Sequence, residues 1–365
     1  MKAVILVGGK ATRLLPLTSK TPKAMVPVLN VPFLEHVIRH LAKHQINEIV
    51  LAQGHLAPPM ADYLGDGSRC GVKLFYSYEK EPLGTAGAVK NAEKFLAGPF
   101  LVLNGDVFTD LDFSAMLAYH QEKKAKITIA LTPVEDPTSY GLVETKPDGA
   151  ITRFLEKPGR DQITTNMINA GTYVLEPEVL SRIPVQLQFS FEHEVFPPAL
   201  ARGEPVFAYA SAAYWIDIGT PAKYLQVQRD LLAGRCRQYA ITLDKEATIG
   251  KGCTIHPAAK IKGPVVIADY CTIGRNANIN GPVVLGKYSV VGEESLVEDS
   301  VIWRNARLGT RARVKKSVLA DNCSLRDGAV CEDVVLGDSV CVESGITVEP
   351  GSRVQPNTLI RTCQV

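Results

Sequence analysis

The chain has 365 residues, of which 46% are hydrophobic and 21% charged, and a net charge of +2. These values predict a folded protein of two or three domains with sizeable cores, and they give no electrostatic case for nucleic acid or a membrane surface as a partner. No apolar run approaches the roughly 20 residues that span a bilayer, and no cationic, apolar leader precedes the first strand, so a cytoplasmic location is expected. The eight cysteines, Cys70, Cys236, Cys253, Cys271, Cys323, Cys331, Cys341 and Cys363, form no C-x-x-C pair. Buried free thiols are therefore expected rather than structural zinc.

In chain order, residues 3–7 are an apolar, β-branched run that predicts a strand buried on both faces. Gly8 and Gly9 follow at once, then Thr12, Arg13, Lys20 and Lys23. Such a turn allows close backbone approach to a ligand, and the basic residues suit phosphate oxygens. Neither the P-loop spacing nor G-x-G-x-x-G is present. Residues 32–44 predict an amphipathic helix with Phe33, Leu34, Val37, Ile38 and Leu41 inward. His36, His40 and His44 share one side of it, which is expected to be solvated rather than a zinc face. Strands are expected at 48–51, 72–76, 100–103 and 127–131, and a helix at 84–95. This βαβ rhythm predicts an open, mainly parallel α/β sheet with ligands beyond the C-terminal strand ends, where Gly8, Gly9 and Asp106 fall. Asp110 and Asp112 read as helix-capping or solvated.

Beyond about residue 234 the pattern changes. Aliphatic residues recur every six positions at Ile249, Ile255, Ile261, Ile267, Ile273, Ile279, Leu285, Val291 and Val297. The spacing then drifts to steps near 17, at Ile302, Leu319 and Leu336. A hexapeptide period predicts a parallel β-helix whose aliphatic residues stack from coil to coil; the period does not fix its hand. The expected division is 1–232, a linker at 233–243, and the β-helix at 244–365.

The phrases Gly8-Gly9-x-x-Thr12-Arg13-Leu14, Pro16-Leu17-Thr18 and Pro22-Lys23 resemble the signature loop of the sugar-1-phosphate nucleotidyltransferases. Four further phrases follow in family order: Leu83-Gly84-Thr85-Ala86-Gly87, Asn104-Gly105-Asp106, Glu156-Lys157-Pro158 with Asn169-Ala170-Gly171, and Trp215-Ile216-Asp217. Ala11 stands where the family usually has glycine. A negative φ there would leave the loop undisturbed, whereas a positive φ would cost about 1 kcal/mol or more.

The resemblance implies a Rossmann-like nucleotidyltransferase domain followed by a left-handed parallel β-helix. It implies Mg²⁺ on Asp106 and Asp217, with Arg13 and Lys23 on a nucleoside triphosphate and Lys157 on a sugar phosphate. Leu6, Gly8, Gly9, Gln53, Gly84, Thr85 and Asn104 would line the nucleotide, and Gly141, Glu156 and Asn169 the sugar phosphate. The loop at 83–87 lacks a pyrimidine-reading glutamine, and with the segment 189–197 it is most similar to the mannose-1-phosphate guanylyltransferase branch, so GTP is favoured. Thymidylyl or uridylyl transfer to glucose 1-phosphate and guanylyl transfer to a heptose phosphate remain open. So do a catalytically silent regulatory relative and acyl transfer at His256 in the β-helix. The β-helix is expected to hold subunits of a homo-oligomer together.

Overall fold

The computed structural model describes residues 1–9, 11–54, 58–236 and 247–361. Part of the expected linker, its junction with the β-helix, and Cys363 lie outside the described residues. Among the described residues no helix is long and apolar enough to cross a membrane. The chain forms two compact units, and neither is a single stretch: one joins residues 1–10 to 34–217, the other joins 11–33 to 218–365.

The first unit is built on a sheet whose central strand is Lys2–Leu6. Ala3, Val4 and Ile5 are fully buried, as a strand covered on both faces requires. Phe100–Asn104 and Glu48–Gly54 flank it in parallel, and Lys73–Glu79 continues the parallel set. Met167–Leu175 joins the other side antiparallel, followed by Gly141–Thr145 and Ile151–Glu156. Ile127–Pro133 pairs with Met167–Leu175 and carries Val206–Ala210. A separate antiparallel ribbon joins Val107–Thr109 to Trp215–Asp217.

The helix Phe33–Lys43 buries Phe33, Leu34, Val37, Ile38 and Leu41 as expected. Its histidine side is not solvated. His36 and His40 are buried, with ring centroids 5.6 Å from Phe108 and 4.8 Å from Phe113 respectively. His40 Nε2 donates to the Leu111 carbonyl at 2.9 Å. Burial holds the His40 pKa down at about 4, so the ring packs as a neutral aromatic. Asp112 caps the helix Phe113–Glu122 through the Ala115 N–H at 2.9 Å. Asp110 is neither a cap nor solvated: it is buried and accepts the Tyr214 N–H at 2.7 Å, which fixes the approach to the ribbon.

In the second unit the strands stack as a parallel β-helix. One inward column runs Ile249, Ile267, Leu285, Ile302, Leu319, Leu336, Val354. A second runs Ile255, Ile273, Val291, Leu308, Leu325, Val342, Ile360. A third runs Ile261, Ile279, Val297, Val314, Cys331, Val348. The drift in spacing is thus a shortening of the coil, with the three columns kept in register. Ile249 departs from the pattern. It is 47% exposed because it begins the first described coil and has a stacking neighbour on one side only. Cys271, Cys323 and Cys331 are buried free thiols, pushed by burial to about 11, about 12 and about 12.

Candidate active site

The central strand ends in an exposed turn at Gly8 and Gly9, the latter with φ +119°. On one side the turn Asn104-Gly105-Asp106 presses against it. Gly105 N–H donates to the Leu6 carbonyl at 2.9 Å, and a Cβ on Gly105 would meet that oxygen at 2.4 Å, so no other residue fits. On the other side lies Gln53, fully buried, whose Oε1 and Nε2 have no hydrogen-bond partner among the described residues. Asn104 Oδ1 is likewise buried without one. Leaving buried amide atoms unsatisfied costs about 1–3 kcal/mol each. Two such side chains flanking one strand end point to a polar ligand that completes them.

Asp106 and Asp217, 111 positions apart in sequence, fall at the same end of one ribbon. Asp217 pairs across the ribbon with Val107, the residue after Asp106. Tyr140 donates its hydroxyl to Asp217 Oδ1 at 2.7 Å, and its ring meets Trp215 edge-on at 5.4 Å. Trp215 Nε1 donates to the Ala170 carbonyl at 2.9 Å. Among the described residues no group of three or more His, Cys, Asp or Glu could cage a metal ion. Two aspartates at one ribbon end are a donor set that would suit Mg²⁺, which takes one or two carboxylates and fills its remaining positions with phosphate oxygens and water.

The expected sugar-phosphate residues adjoin this ribbon. Gly141 pairs with Glu156, and a Cβ there would lie 2.9 Å from Glu156 Oε2, so glycine makes room for the carboxylate. Burial pushes the Glu156 pKa up, the nearby Glu192 carboxylate adds to this, and Lys157 opposes both. Lys157 adopts a left-handed φ of 47°, bonds through its N–H to the Tyr140 carbonyl at 3.0 Å, and leaves its side chain 70% exposed. Asn169 holds its own loop through Oδ1 to Gly171 N–H at 2.9 Å and donates to Tyr173 Oη at 2.9 Å.

One expected nucleotide residue, Thr85, has its hydroxyl bonded within the protein. The Thr85 hydroxyl donates to Glu192 Oε2 at 2.8 Å and accepts the Phe191 N–H at 2.9 Å. At the start of the helix Gly84–Asn91, the Ala86 and Gly87 N–H groups both donate to the Phe189 carbonyl, at 2.9 and 3.0 Å. Two N–H groups of this helix N-terminus are therefore satisfied by protein. The motif at 83–87 and the segment 189–192 are one interlocked structure. Glu192 lies in the segment 189–197 already noted, but its bond to Thr85 and the role of Tyr173 had no signal in the sequence, since the partners are distant in the chain. Glu79, also unforeseen, is a buried acid ending its strand. Its Oε2 accepts the Leu83 N–H at 3.0 Å, and burial pushes its pKa up.

Arg13 and Lys23 lie on the 11–33 segment, which belongs to the second unit. Ala11 there has φ 46° and ψ 37°, the left-handed conformation that glycine would take without strain. Its carbonyl accepts the Leu14 N–H at 3.1 Å and the Thr18 hydroxyl at 3.0 Å. His256, the residue an acyl transfer would need, is exposed and accepts the Ala258 N–H at Nδ1 within its own turn.

Residues 2–234 match the nucleotidyl transferase family, and residues 261–364 match the GMPPB C-terminal domain. The chain is 37% identical over 268 residues to a mannose-1-phosphate guanylyltransferase of Mycobacterium tuberculosis, covering 73% of this chain and 74% of the relative. It is 34% identical over 352 residues to a UTP–glucose-1-phosphate uridylyltransferase of Synechocystis, covering 91% and 90%. Among solved structures, HddC from Yersinia pseudotuberculosis superposes with a TM-score of 0.56 at 31% identity, covering 63% of this chain and 99% of HddC. HddC has also been solved in complex with GMP-PN. The parallel sheet with a glycine turn at the end of its first strand fits a family that transfers nucleotidyl groups. The chain belongs to the nucleotidyl transferase family.

Proposed function

We propose that this protein couples a sugar 1-phosphate to a nucleoside triphosphate, releasing pyrophosphate and forming an NDP-sugar, with mannose 1-phosphate and GTP as the substrates. The observation that carries the reading is the ribbon register that pairs Asp217 with Val107, the residue after Asp106, while Tyr140 bonds both Asp217 and the Lys157 backbone that follows the Glu156 strand. The mannose-1-phosphate guanylyltransferases among its relatives support the choice of substrates.

The chemistry needs no nucleophilic side chain. A sugar phosphate, with a second pKa of about 6, is largely dianionic at neutral pH. One of its oxygens attacks the α-phosphorus of the triphosphate, the bond to the bridging oxygen breaks, and pyrophosphate leaves with that electron pair. The protein's task is to orient two polyanions and offset their charge. Arg13 and Lys23 take the triphosphate, Lys157 the sugar phosphate, and Glu156 and Asn169 the sugar hydroxyls. Leu6, Gly8, Gly9, Gln53, Gly84, Thr85 and Asn104 line the nucleotide, Thr85 by contact beyond its committed hydroxyl, and Gly141 gives its backbone to the sugar. Asp106 and Asp217 would hold Mg²⁺, which would neutralise phosphate charge. Residues 1–232 carry catalysis, 233–243 link, and 244–365 assemble a cytoplasmic homo-oligomer, a dimer or a multiple of dimers.

The uridylyltransferase relative, alignable over nearly the whole chain, favours UTP and glucose 1-phosphate as the second reading. Pyrophosphate release measured over a panel of four nucleoside triphosphates against mannose, glucose and heptose 1-phosphates decides between them. GTP with mannose 1-phosphate should give the highest kcat/KM; a higher value for UTP with glucose 1-phosphate replaces the first reading with the second.

A further inference from the structure

The 11–33 segment carries Arg13 and Lys23, yet its backbone is held by residues some 200 to 340 positions away. The Pro27 carbonyl accepts both the Tyr224 hydroxyl and Gln228 Nε2, the latter at 3.0 Å, while Gln228 Oε1 accepts the Leu29 N–H at 2.8 Å. Tyr224 and Gln228 lie on the helix Pro221–Leu232 and are buried. That helix is in turn fastened to the β-helix. Trp303 Nε1 donates to the Tyr224 hydroxyl oxygen at 2.9 Å, and Arg229 forms a two-pronged pair with Asp299 at 2.7 Å on each arm. The β-helix also reaches the segment directly. Asn30 Nδ2 donates to the Leu285 carbonyl at 3.0 Å, and Arg353 Nη1 to the Arg13 carbonyl at 3.4 Å. These bonds fall near the beginning and the end of the segment, on the Arg13 carbonyl itself and four residues beyond Lys23.

We infer that the β-helix is a positioning element for the phosphate-binding loop, with Trp303 acting through Tyr224, and Arg353 acting on Arg13, to hold the backbone that presents Arg13 and Lys23. Trp303 and Arg353 are positioning residues in this inference. The inference rests on the reading of Arg13 and Lys23 as triphosphate-binding residues. Tyr224 is the hinge of the brace. Fully buried, its hydroxyl spends its proton on Pro27 and its lone pair on Trp303, so a change at Trp303 is felt at the loop. Asp338, buried on the β-helix, feels the positive charge of Lys20 from the same segment, a further electrostatic link between the two.

The test uses the full-length protein and two variants. Trp303→Phe keeps an aromatic side chain but loses the indole N–H along with part of the ring system; Arg353→Ala removes an exposed guanidinium, and keeps the test open if the first variant misfolds. Amide hydrogen exchange across residues 11–33 reads the brace without reference to activity, and steady-state kinetics read its consequence. The expected result is exchange in 11–33 faster by about ten-fold, with KM for the triphosphate raised roughly three- to ten-fold and KM for the sugar phosphate unchanged. Unchanged exchange in both variants overturns the brace. Faster exchange with unaltered triphosphate KM overturns its link to phosphate binding. A wild-type protein that releases no pyrophosphate from any substrate pair refutes the proposed function instead, while the exchange comparison still decides whether the β-helix holds the loop.

Discussion

Replacing Ala11 by glycine isolates one term of the loop's energetics. Ala11 is held at φ 46° and ψ 37°. For a residue with a Cβ that conformation costs about 1–2 kcal/mol relative to the right-handed region. Glycine removes the clash, but it returns roughly 0.4–1 kcal/mol through the greater freedom of the opened chain. The difference favours Ala11→Gly by about 0.5–1 kcal/mol, because the carbonyl bonds to Leu14 and Thr18 involve only the backbone oxygen and survive. Since 1.4 kcal/mol is ten-fold, the amides of Leu14, Leu15 and Leu17, bonded within this turn, should exchange about two- to five-fold more slowly in the variant. Turnover should be equal to or above wild type. Faster exchange at these three amides would show that the left-handed residue is not strained, and that the loop is shaped by something the dihedral does not report.

Three further outcomes are expected. Asp106→Asn and Asp217→Asn should each lower kcat by roughly 100-fold, the scale of losing one strong electrostatic stabiliser, with a raised Mg²⁺ requirement; near-normal turnover in both removes the metal assignment. Gln53→Leu should stabilise the free protein by about 1–2 kcal/mol, by deleting a buried amide that has no partner among the described residues, and raise KM for the triphosphate. A destabilised variant with unchanged KM, measured by denaturation and kinetics, contradicts that. His40 has a native pKa of about 4 against its ordinary 6.5. The unfolded chain therefore takes up the proton first, so this part of the stability is complete above about pH 6.5 and is lost as pH falls toward 4. The slope is at most about 1.4 kcal/mol per pH unit. His40→Leu should flatten it in thermal scans between these pH values; an unaltered slope assigns the acid sensitivity elsewhere.

The parts legible in the sequence are those encoded by local period. The β-branched run at 3–7 can only be a covered strand, and a six-residue aliphatic period has no plausible outcome but a stacked coil. Even the shortening of the coil was visible as the drift at Ile302, Leu319 and Leu336. Features made by distant partners were not legible. The spacing of His36, His40 and His44 marks a helix side but not what covers it, and Phe108 and Phe113 arrive from another part of the chain. Thr85 has the residue type of a ligand contact, yet Glu192, 107 residues on, takes its hydroxyl. Ala11 announced a departure from the family pattern, but a residue name carries no φ. The signature loop, contiguous with the first strand in sequence, has its backbone partners in the β-helix unit, and no local pattern records a bond 340 positions long.

The central claim is direct transfer of a nucleotidyl group between two phosphates bound by this protein. It is tested most directly with GTP labelled at its α-phosphate, mixed with mannose 1-phosphate and Mg²⁺, following the label on nucleotide, sugar nucleotide and protein. The account predicts that the label moves into GDP-mannose, matched mole for mole by pyrophosphate, with none on the protein at any time. Label retained in GTP, released as GMP, or found covalently on the protein would contradict it.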